Sequence, residues 1–409
     1  MLRLRHLALI AVGLVGSISA AACGGDSSGD ESTGSTDPKK DGARPPPLGS
    51  GPAAAGAGDV VIAMNKLILG DVGFDGQENA QAWKKIGYNL DGLISTKNGS
   101  NHCAPQKGAT KSSVQTDGDD GIDNSFGSNL IKVIGTLAPN PSSEISGALE
   151  QGDFTIMLRM EKIEDKAELT GIKTSLYGGA KFDALVDCAA NKTDPNCSAP
   201  KFDGTDQWPI LPELLTNPTN VDSAKVVFPT SYVTGGKWVS GSEGDLDLSL
   251  SIQGYSLALK ITKAVITADI SGVGGTPKAT QGIIAGIIPT EQLIAELKKI
   301  AGSLSKEMCE GSTFETIAQS IRGASDIMAD GTNGDSSKTC DGISIGLGFE
   351  GLAVKIGGIA PAATAPKDPC KEEPDAGKPD SGKPDSGGSD SGGSDSGGSD
   401  AGASDASSD

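Results

Sequence analysis

Leu246, Leu248, Leu250 and Ile252 alternate strictly with Asp247, Ser249 and Ser251. Successive side chains of an extended chain point to opposite faces, so a period of two sets one buried face against one wet face. The pattern recurs at Phe154, Ile156, Leu158 and Met160, at Leu257, Leu259 and Ile261, and at Ile266, Ala268 and Ile270. It appears again at Ile343, Ile345, Leu347 and Phe349, and Leu352, Val354 and Ile356 close the series. Nearer the start, Val60, Ile62 and Met64 alternate, followed by Leu67 and Leu69. Val226 to Phe228 and Trp238 with Val239 flank the pair Gly235 and Gly236, a hairpin signal. A face buried on one side only belongs to antiparallel sheets. Two stretches break the pattern with helical spacing. Over 290–304, Thr290 is placed to cap a helix burying Leu293, Ile294, Leu297, Ile300 and Leu304. Over 313–329, Ser312 and Glu315 read as a capping box ahead of Phe314, Ile317, Ile321 and Met328. The expected fold is mainly β: an antiparallel β-sandwich or partly closed barrel with a two-helix cover.

The two ends are of another kind. Residues 1–22 carry Arg3 and Arg5, an apolar run over 7–18 and a block of small residues, the layout of a secretory signal. The apolar run falls short of the roughly 20 residues that span a hydrocarbon core. No other segment reaches that length without charge, so no transmembrane helix is expected. Ala21, Ala22 and Cys23 resemble the lipobox of bacterial lipoproteins, with Ala20 where Leu is usual. That resemblance implies acyl chains on Cys23 and a membrane as partner. Two or more chains make a stable anchor where one binds only marginally. Gly24 in place of Asp points to the outer membrane or cell surface, with the periplasmic side left open. Residues 23–57, rich in Gly, Ser, Asp and Pro, read as a disordered tether. Residues 363–409 read as a disordered acidic tail, because they lack the apolar side chains that offset chain entropy. Between the ends, 58–362 divides into an Asp-rich module over 58–150 and a sheet core over 151–362.

Seven cysteines are present: Cys23, Cys103, Cys188, Cys197, Cys309, Cys340 and Cys370. Lipidation of Cys23 would leave six, an even set, and export makes three disulfides the default. Ranked by position, the pairings are Cys188 with Cys197, Cys309 with Cys340, and Cys103 with Cys370. A zinc site is disfavoured, because no CxxC pair exists and His102 is the only histidine beyond the signal.

The densest chemistry lies in Asp-Gly-Asp-Asp-Gly-Ile-Asp-Asn at 117–124. Carboxylates so crowded repel one another, and a hard cation with 6–8 oxygen ligands would relieve the repulsion. Asp117, Asp119, Asp120, Asp123 and Asn124 are therefore candidate calcium ligands. The rival reading is a solvated acidic turn capping a helix from Ser125. The spacing is not that of an EF-hand, since Gly121 falls where an acid is needed and no Glu closes the loop; it resembles the Asp-rich turns of thrombospondin-like repeats. Together with Trp-Lys-Lys-Ile-Gly-Tyr-Asn-Leu-Asp-Gly at 83–92, Cys103 and the acidic Ser/Asp/Gly tail, this stretch resembles a module of uncharacterised myxobacterial lipoprotein families. The resemblance implies surface lipoprotein biology and no particular activity. Asp91 joins the acidic loop in space if the module folds as a unit.

Enzymatic signatures are sparse. Triads and zincins need histidine, and no phosphate loop or dinucleotide fingerprint appears. A net charge of −19 repels phosphate backbones and excludes nucleic acid as a natural partner. The leading expectation is a lipid-anchored extracytoplasmic protein with a non-enzymatic binding or envelope-structural role, facing a glycan or an envelope protein. The alternatives are a carboxylate-based glycan hydrolase and an apolar-ligand carrier with the 246–270 stretch lining its barrel. Trp83, Trp208 and Trp238 are the only tryptophans a glycan platform could use, and core packing is the commoner fate of such residues.

Overall fold

The computed structural model describes residues 42–107, 114–137, 139–252, 255–309, 311–362 and 369–371. Its strands, in chain order, are β1 (Asp59–Ile68), β2 (Thr155–Glu161), β3 (Leu169–Gly179), β4 (Gln207–Ile210), β5 (Val226–Thr234) and β6 (Lys237–Val239), then β7 (Gly244–Ile252), β8 (Tyr255–Ser271), β9 (Lys278–Pro289), β10 (Gly342–Ala353) and β11 (Lys355–Ile359). Eight of them run antiparallel in the order β3-β2-β1-β10-β9-β8-β6-β5. β5 then pairs back onto β3, with Val233 opposite Leu169 and Val226 opposite Leu176, so the ladder closes into a barrel. Closure removes the open edges that would template pairing with another chain. β4 and β11 extend the sheet from the far end of β3, and β7 pairs with β8 alone and packs its Leu246 and Leu248 into the core. The fold is thus mainly β as expected, with the barrel fully closed.

Paired residues share a face, and the register shows which face is inside. Ile62 lies opposite Leu158 and Ala353, Leu158 opposite Leu176, Trp238 opposite Ala268, Ile266 opposite Ile284, and Ile284 opposite Leu347. Ala353 apart, these side chains, with Val60, Met160, Phe228, Ile345 and Phe349, form one cluster that fills the interior, each almost wholly buried. Each fully buried side chain of this size contributes about 1.5–3 kcal/mol relative to exposure. The interior is therefore a packed core. The register of β1 on β10 shifts between Met64 and Lys66. This bulge re-aims Leu67 inward, opposite Phe349. The outward residues Ala63, Met157 and Tyr177 are covered in turn by Phe182, Phe202, Trp208 and Ile210 from the 180–225 region.

Four helices pack on this frame: α1 (Ile131–Leu137), α2 (Pro141–Gln151), α3 (Thr290–Leu304) and α4 (Ser312–Arg322). α3 spans the expected range and lies on β8. The expected helix over 313–329 stops at Arg322, and Ile327 instead bridges Gly342 as an extended residue. Neither expected cap forms. Thr290 is the first helical residue and its hydroxyl meets the Ser325 hydroxyl at 2.8 Å, while Gly311 precedes α4 and leaves Ser312 inside the helix. α2, unforeseen, has Pro141 in its first turn and ends at Gly152 in the left-handed region (φ 82°), the usual proline-start, glycine-stop asymmetry.

Two further expectations are corrected. The tether does not run to residue 57. Residues 42–57 form a strap on the barrel: the Ala43 amide donates to Asp120 O (2.9 Å), the Tyr232 hydroxyl to Pro46 O (2.6 Å), and the Ala54 amide to Thr170 O (2.9 Å). A Pro- and Gly-rich segment has no side-chain periodicity, but its free carbonyls serve as well as any other for such docking. Of the disulfides, Cys188–Cys197 is as ranked, whereas Cys103 pairs with Cys340 and Cys309 with Cys370. Ala104 already runs beside Thr339 as an isolated bridge, which sets Cys103 against Cys340. Cys23, the signal segment 1–22, the expected tether up to residue 41 and nearly all of the acidic tail lie outside the described residues. Among the described residues, no helix is long and apolar enough to cross a membrane.

Candidate functional site

The 80–130 stretch seats itself on the barrel through backbone contacts that leave no room for side chains. A Cβ at Gly346 of β10 would lie 2.1 Å from Ile86 O, and one at Gly127 would lie 2.7 Å from Trp83 Cβ. Asn124 fills the seam. Its Nδ2 donates to Ile86 O (2.8 Å) and Gly346 O (3.1 Å), and its Oδ1 accepts from the amides of Gly127 (2.9 Å) and Gly346 (3.0 Å). Asn124 is thus committed to joining module and barrel. A helix does start at Ser125, opening with a π-helical turn over Phe126–Leu130 before α1.

Beside this seam four carboxyl groups gather: Asp91, Asp117, Asp123 and Asp326. Asp123 is 2% exposed and faces Asp117 closely enough to share a hydrogen bond. Its Oδ2 accepts from the Leu90 amide at 2.6 Å. Asp117 Oδ2 accepts from the Ser95 amide at 2.6 Å. Asp91 Oδ2 accepts from Asn333 Nδ2 at 2.8 Å, and the Oδ1 of the same amide accepts from the Cys103 amide at 2.6 Å. Asp326 accepts from the Ser344 amide (2.8 Å) and hydroxyl (2.5 Å). The knot joins the Asp-rich module to the loop before β10, and Cys103–Cys340 staples the same two segments.

Removal from water raises Asp117, Asp123 and Asp326, and the charges of neighbouring acids raise them further. Burial first, then the charges of Asp91 and Asp326, push Asp117 up to about 8, against the opposing pull of the Ser95 amide. Burial and then Asp91, Asp117 and Asp326 hold Asp123 well above the carboxylate range. Burial pushes Asp326 up to about 7, although Ser344 pulls the other way. At neutral pH the knot therefore retains protons and is held by O–H and N–H donors.

Asp117 and Asp123 come together as the spacing implied, and Asp91 joins them. Asp119 and Asp120 do not: both are exposed on a tight turn, Asp120 in the left-handed region (φ 53°) with its carbonyl held by the strap. Asp326 was not foreseen; it lies on a loop with no motif around it, and the fold alone brings it in. Among the described residues, no group of three or more Asp, Glu, His or Cys side chains is arranged to hold a metal ion. Of the five candidate calcium ligands, Asp117 and Asp123 thus lie in the four-acid knot, Asn124 in the seam, and Asp119 and Asp120 stand apart from both.

The remaining candidates are structural. His102 turns Nδ1 to Cys103 O (3.0 Å) and Nε2 to Gly99 O (2.9 Å), so neither nitrogen faces a nucleophile. Trp208 donates to Ala180 O (2.8 Å) between Phe182 and Phe202, Trp238 stands inside the barrel, and Trp83 is 7% exposed. None offers an open platform for a sugar. Against known proteins, no family model, no curated protein and no solved structure matches this chain.

Proposed function

We propose that the chain is an exported lipoprotein, held to the outer membrane or cell surface by acyl chains on Cys23, with a non-enzymatic binding or envelope-structural role. The observation that carries this reading is the cysteine pairing. Six cysteines form three disulfides, and the seventh is Cys23, within the small-small-Cys core that resembles a lipobox. Disulfides form and persist in oxidising compartments outside the cytoplasm. The resemblance to surface lipoprotein families of myxobacteria is part of the same proposal.

A barrel interior filled by its own apolar side chains favours a scaffold that works through its outer surface. It weighs against a carrier of apolar ligands, which needs an internal cavity of several hundred Å³. The buried knot weighs against a carboxylate-based glycan hydrolase, whose two acids must flank an open cleft at about 5–10 Å. The test is fractionation of cells expressing the full chain or Cys23→Ser, with mass spectrometry of the mature amino terminus. Acylation at residue 23 and loss of the membrane-bound fraction in Cys23→Ser are expected. An unmodified amino terminus in the membrane fraction refutes the anchor.

A further inference from the structure

A pocket of about 230 Å³ opens on the outer face of β8 and β9, under the start of the strap. Its floor is apolar and aromatic: Tyr88 and Tyr232, both buried, stand with Val265 on the barrel wall. Both hydroxyls are already spent, Tyr88 on Thr267 Oγ1 (2.7 Å) and Tyr232 on Pro46 O (2.6 Å), so the floor is fixed and the strap is pinned as a roof. Two cations line the pocket, and Glu243 lines it with them. Arg44 comes from the strap and Lys263 from β8.

Acids outnumber bases 53 to 34 in this chain, yet Arg44 makes no ion pair or hydrogen bond among the described residues. Lys263 has only a loose ion pair with Glu243, at 3.6 Å. Its backbone sits in the left-handed region (φ 51°), at the register shift between Thr262 and Val265. That conformation is costly for a residue with a side chain, and the side chain runs along Gly331 on the pocket wall. A guanidinium and an ammonium facing one small cavity suit a group with several anionic oxygens, which both can grip at once. A phosphate offers three such oxygens and more charge than a carboxylate, so it answers both cations best.

We infer that this pocket binds a small phosphate ester, its phosphate between Arg44 and Lys263 and its organic part against Tyr88 and Tyr232. The ester has two conceivable sources, a free metabolite or a phospholipid headgroup. The second rests on the anchor reading, under which Arg44 follows the acylated residue by 21 positions and so stays within about 75 Å of it along the chain.

The test uses the chain from residue 23 onward with Cys23→Ser and its disulfides intact. It is titrated by calorimetry with sn-glycerol 3-phosphate, and with glycerol as the uncharged control. Saturable binding of the phosphate alone is expected. Arg44→Gln and Lys263→Gln should each weaken it about tenfold or more, and Glu243→Gln should tighten it by removing the competing charge. Urea midpoints of the variants should match the parent, which separates lost binding from lost folding. Sedimentation with phosphatidylglycerol and phosphatidylcholine vesicles then assigns the source. Binding to vesicles that the same variants abolish selects a headgroup, and binding of the free ester alone selects a metabolite. No saturable binding by the parent, or undiminished binding by the Arg44→Gln/Lys263→Gln double variant, overturns the inference whatever becomes of the anchor.

Discussion

Replacing Asp117 by Asn removes a titrating group from the knot while keeping an oxygen that can accept the Ser95 amide bond, 2.6 Å in the parent. Burial and neighbouring acids push Asp117 up to about 8 and burial pushes Asp326 up to about 7, and Asp123 moves the same way. The ordinary value, 3.8, applies in the unfolded chain. Between these limits the native state keeps a proton that the unfolded state has released, so stability falls as pH rises. Each retained proton costs about 1.4 kcal/mol per pH unit, at most about 4 kcal/mol from about pH 5 to about pH 8. Solvent reaching the partly exposed Asp117 reduces the observable change to about 2 kcal/mol. Acids held low, such as Glu291 beside Arg322, act in the opposite sense, but their contribution is lost only as pH falls below about 4.5. The assay is urea unfolding of the oxidised protein across that window. The parent midpoint should fall steadily, whereas Asp117→Asn should show a shallower slope and exceed the parent above neutrality. A parent midpoint that is flat or rises with pH, or a variant with an unchanged slope, would show that Asp117, Asp123 and Asp326 do not hold protons as argued.

Calcium titration at about pH 6 should leave the thermal midpoint unchanged, because no three acids share a point of coordination; a rise that disappears in Asp117→Asn would restore the ion site. Asn124→Ala should cost about 3 kcal/mol in urea unfolding, since it strands the Gly127 and Gly346 amides and two carbonyls in the seam; a loss under about 1 kcal/mol would show that water replaces the side chain. Removing Cys103–Cys340, which closes a separation of 237 residues, should cost about 5 kcal/mol, and removing Cys188–Cys197, with a separation of 9, about 3 kcal/mol. Paired thermal melts of the two double-Ala variants check that order, and equal losses would mean that chain entropy does not dominate.

Strands were legible where one face meets water. Leu246 and Leu248 alternate with acids and serines because only their own face is covered, and the strictness of the pattern reports that asymmetry. β9 carries no such signal. Ile287 and Ile288 are each 1% exposed, the first on the outer face under the loop bearing Gly331 and Gly342, the second inside the barrel. A strand covered on both faces reads as a plain apolar run, which a buried helix segment also produces. The carboxylate knot was half legible for a related reason. Asp117 and Asp123 are neighbours in sequence, so local crowding announced them, and Asp91 belonged to the same module. Asp326 arrives by way of the Ile327–Gly342 bridge, a contact that no local pattern encodes. Disulfide pairing failed likewise: chain proximity found Cys188–Cys197, but the partners of Cys103 and Cys309 depend on which loops the closed barrel lays side by side.

The strap changes what an anchor at Cys23 would do. Were the barrel hung from residue 58, a pull from the membrane would load β1 directly, the strand on which β2 and β10 both depend. Instead the chain meets the fold at Ala43 and is bonded in turn to Asp120, Tyr232, Thr170 and, through Gly56, Lys162 before β1 begins. These contacts are spread along the segment, so a pull must release them one after another, each site holding one to three hydrogen bonds worth about 1 kcal/mol net apiece. The barrel ladder would stay intact while the strap yields. If residues 24–41 run as the tether expected from the sequence, the leash from Cys23 to the strap is 18 residues, with a reach of at most about 65 Å. The first fold residues to meet a membrane on that leash are those beside Arg44, so the face carrying the cationic pocket is the face an acylated Cys23 would bring nearest to phospholipid.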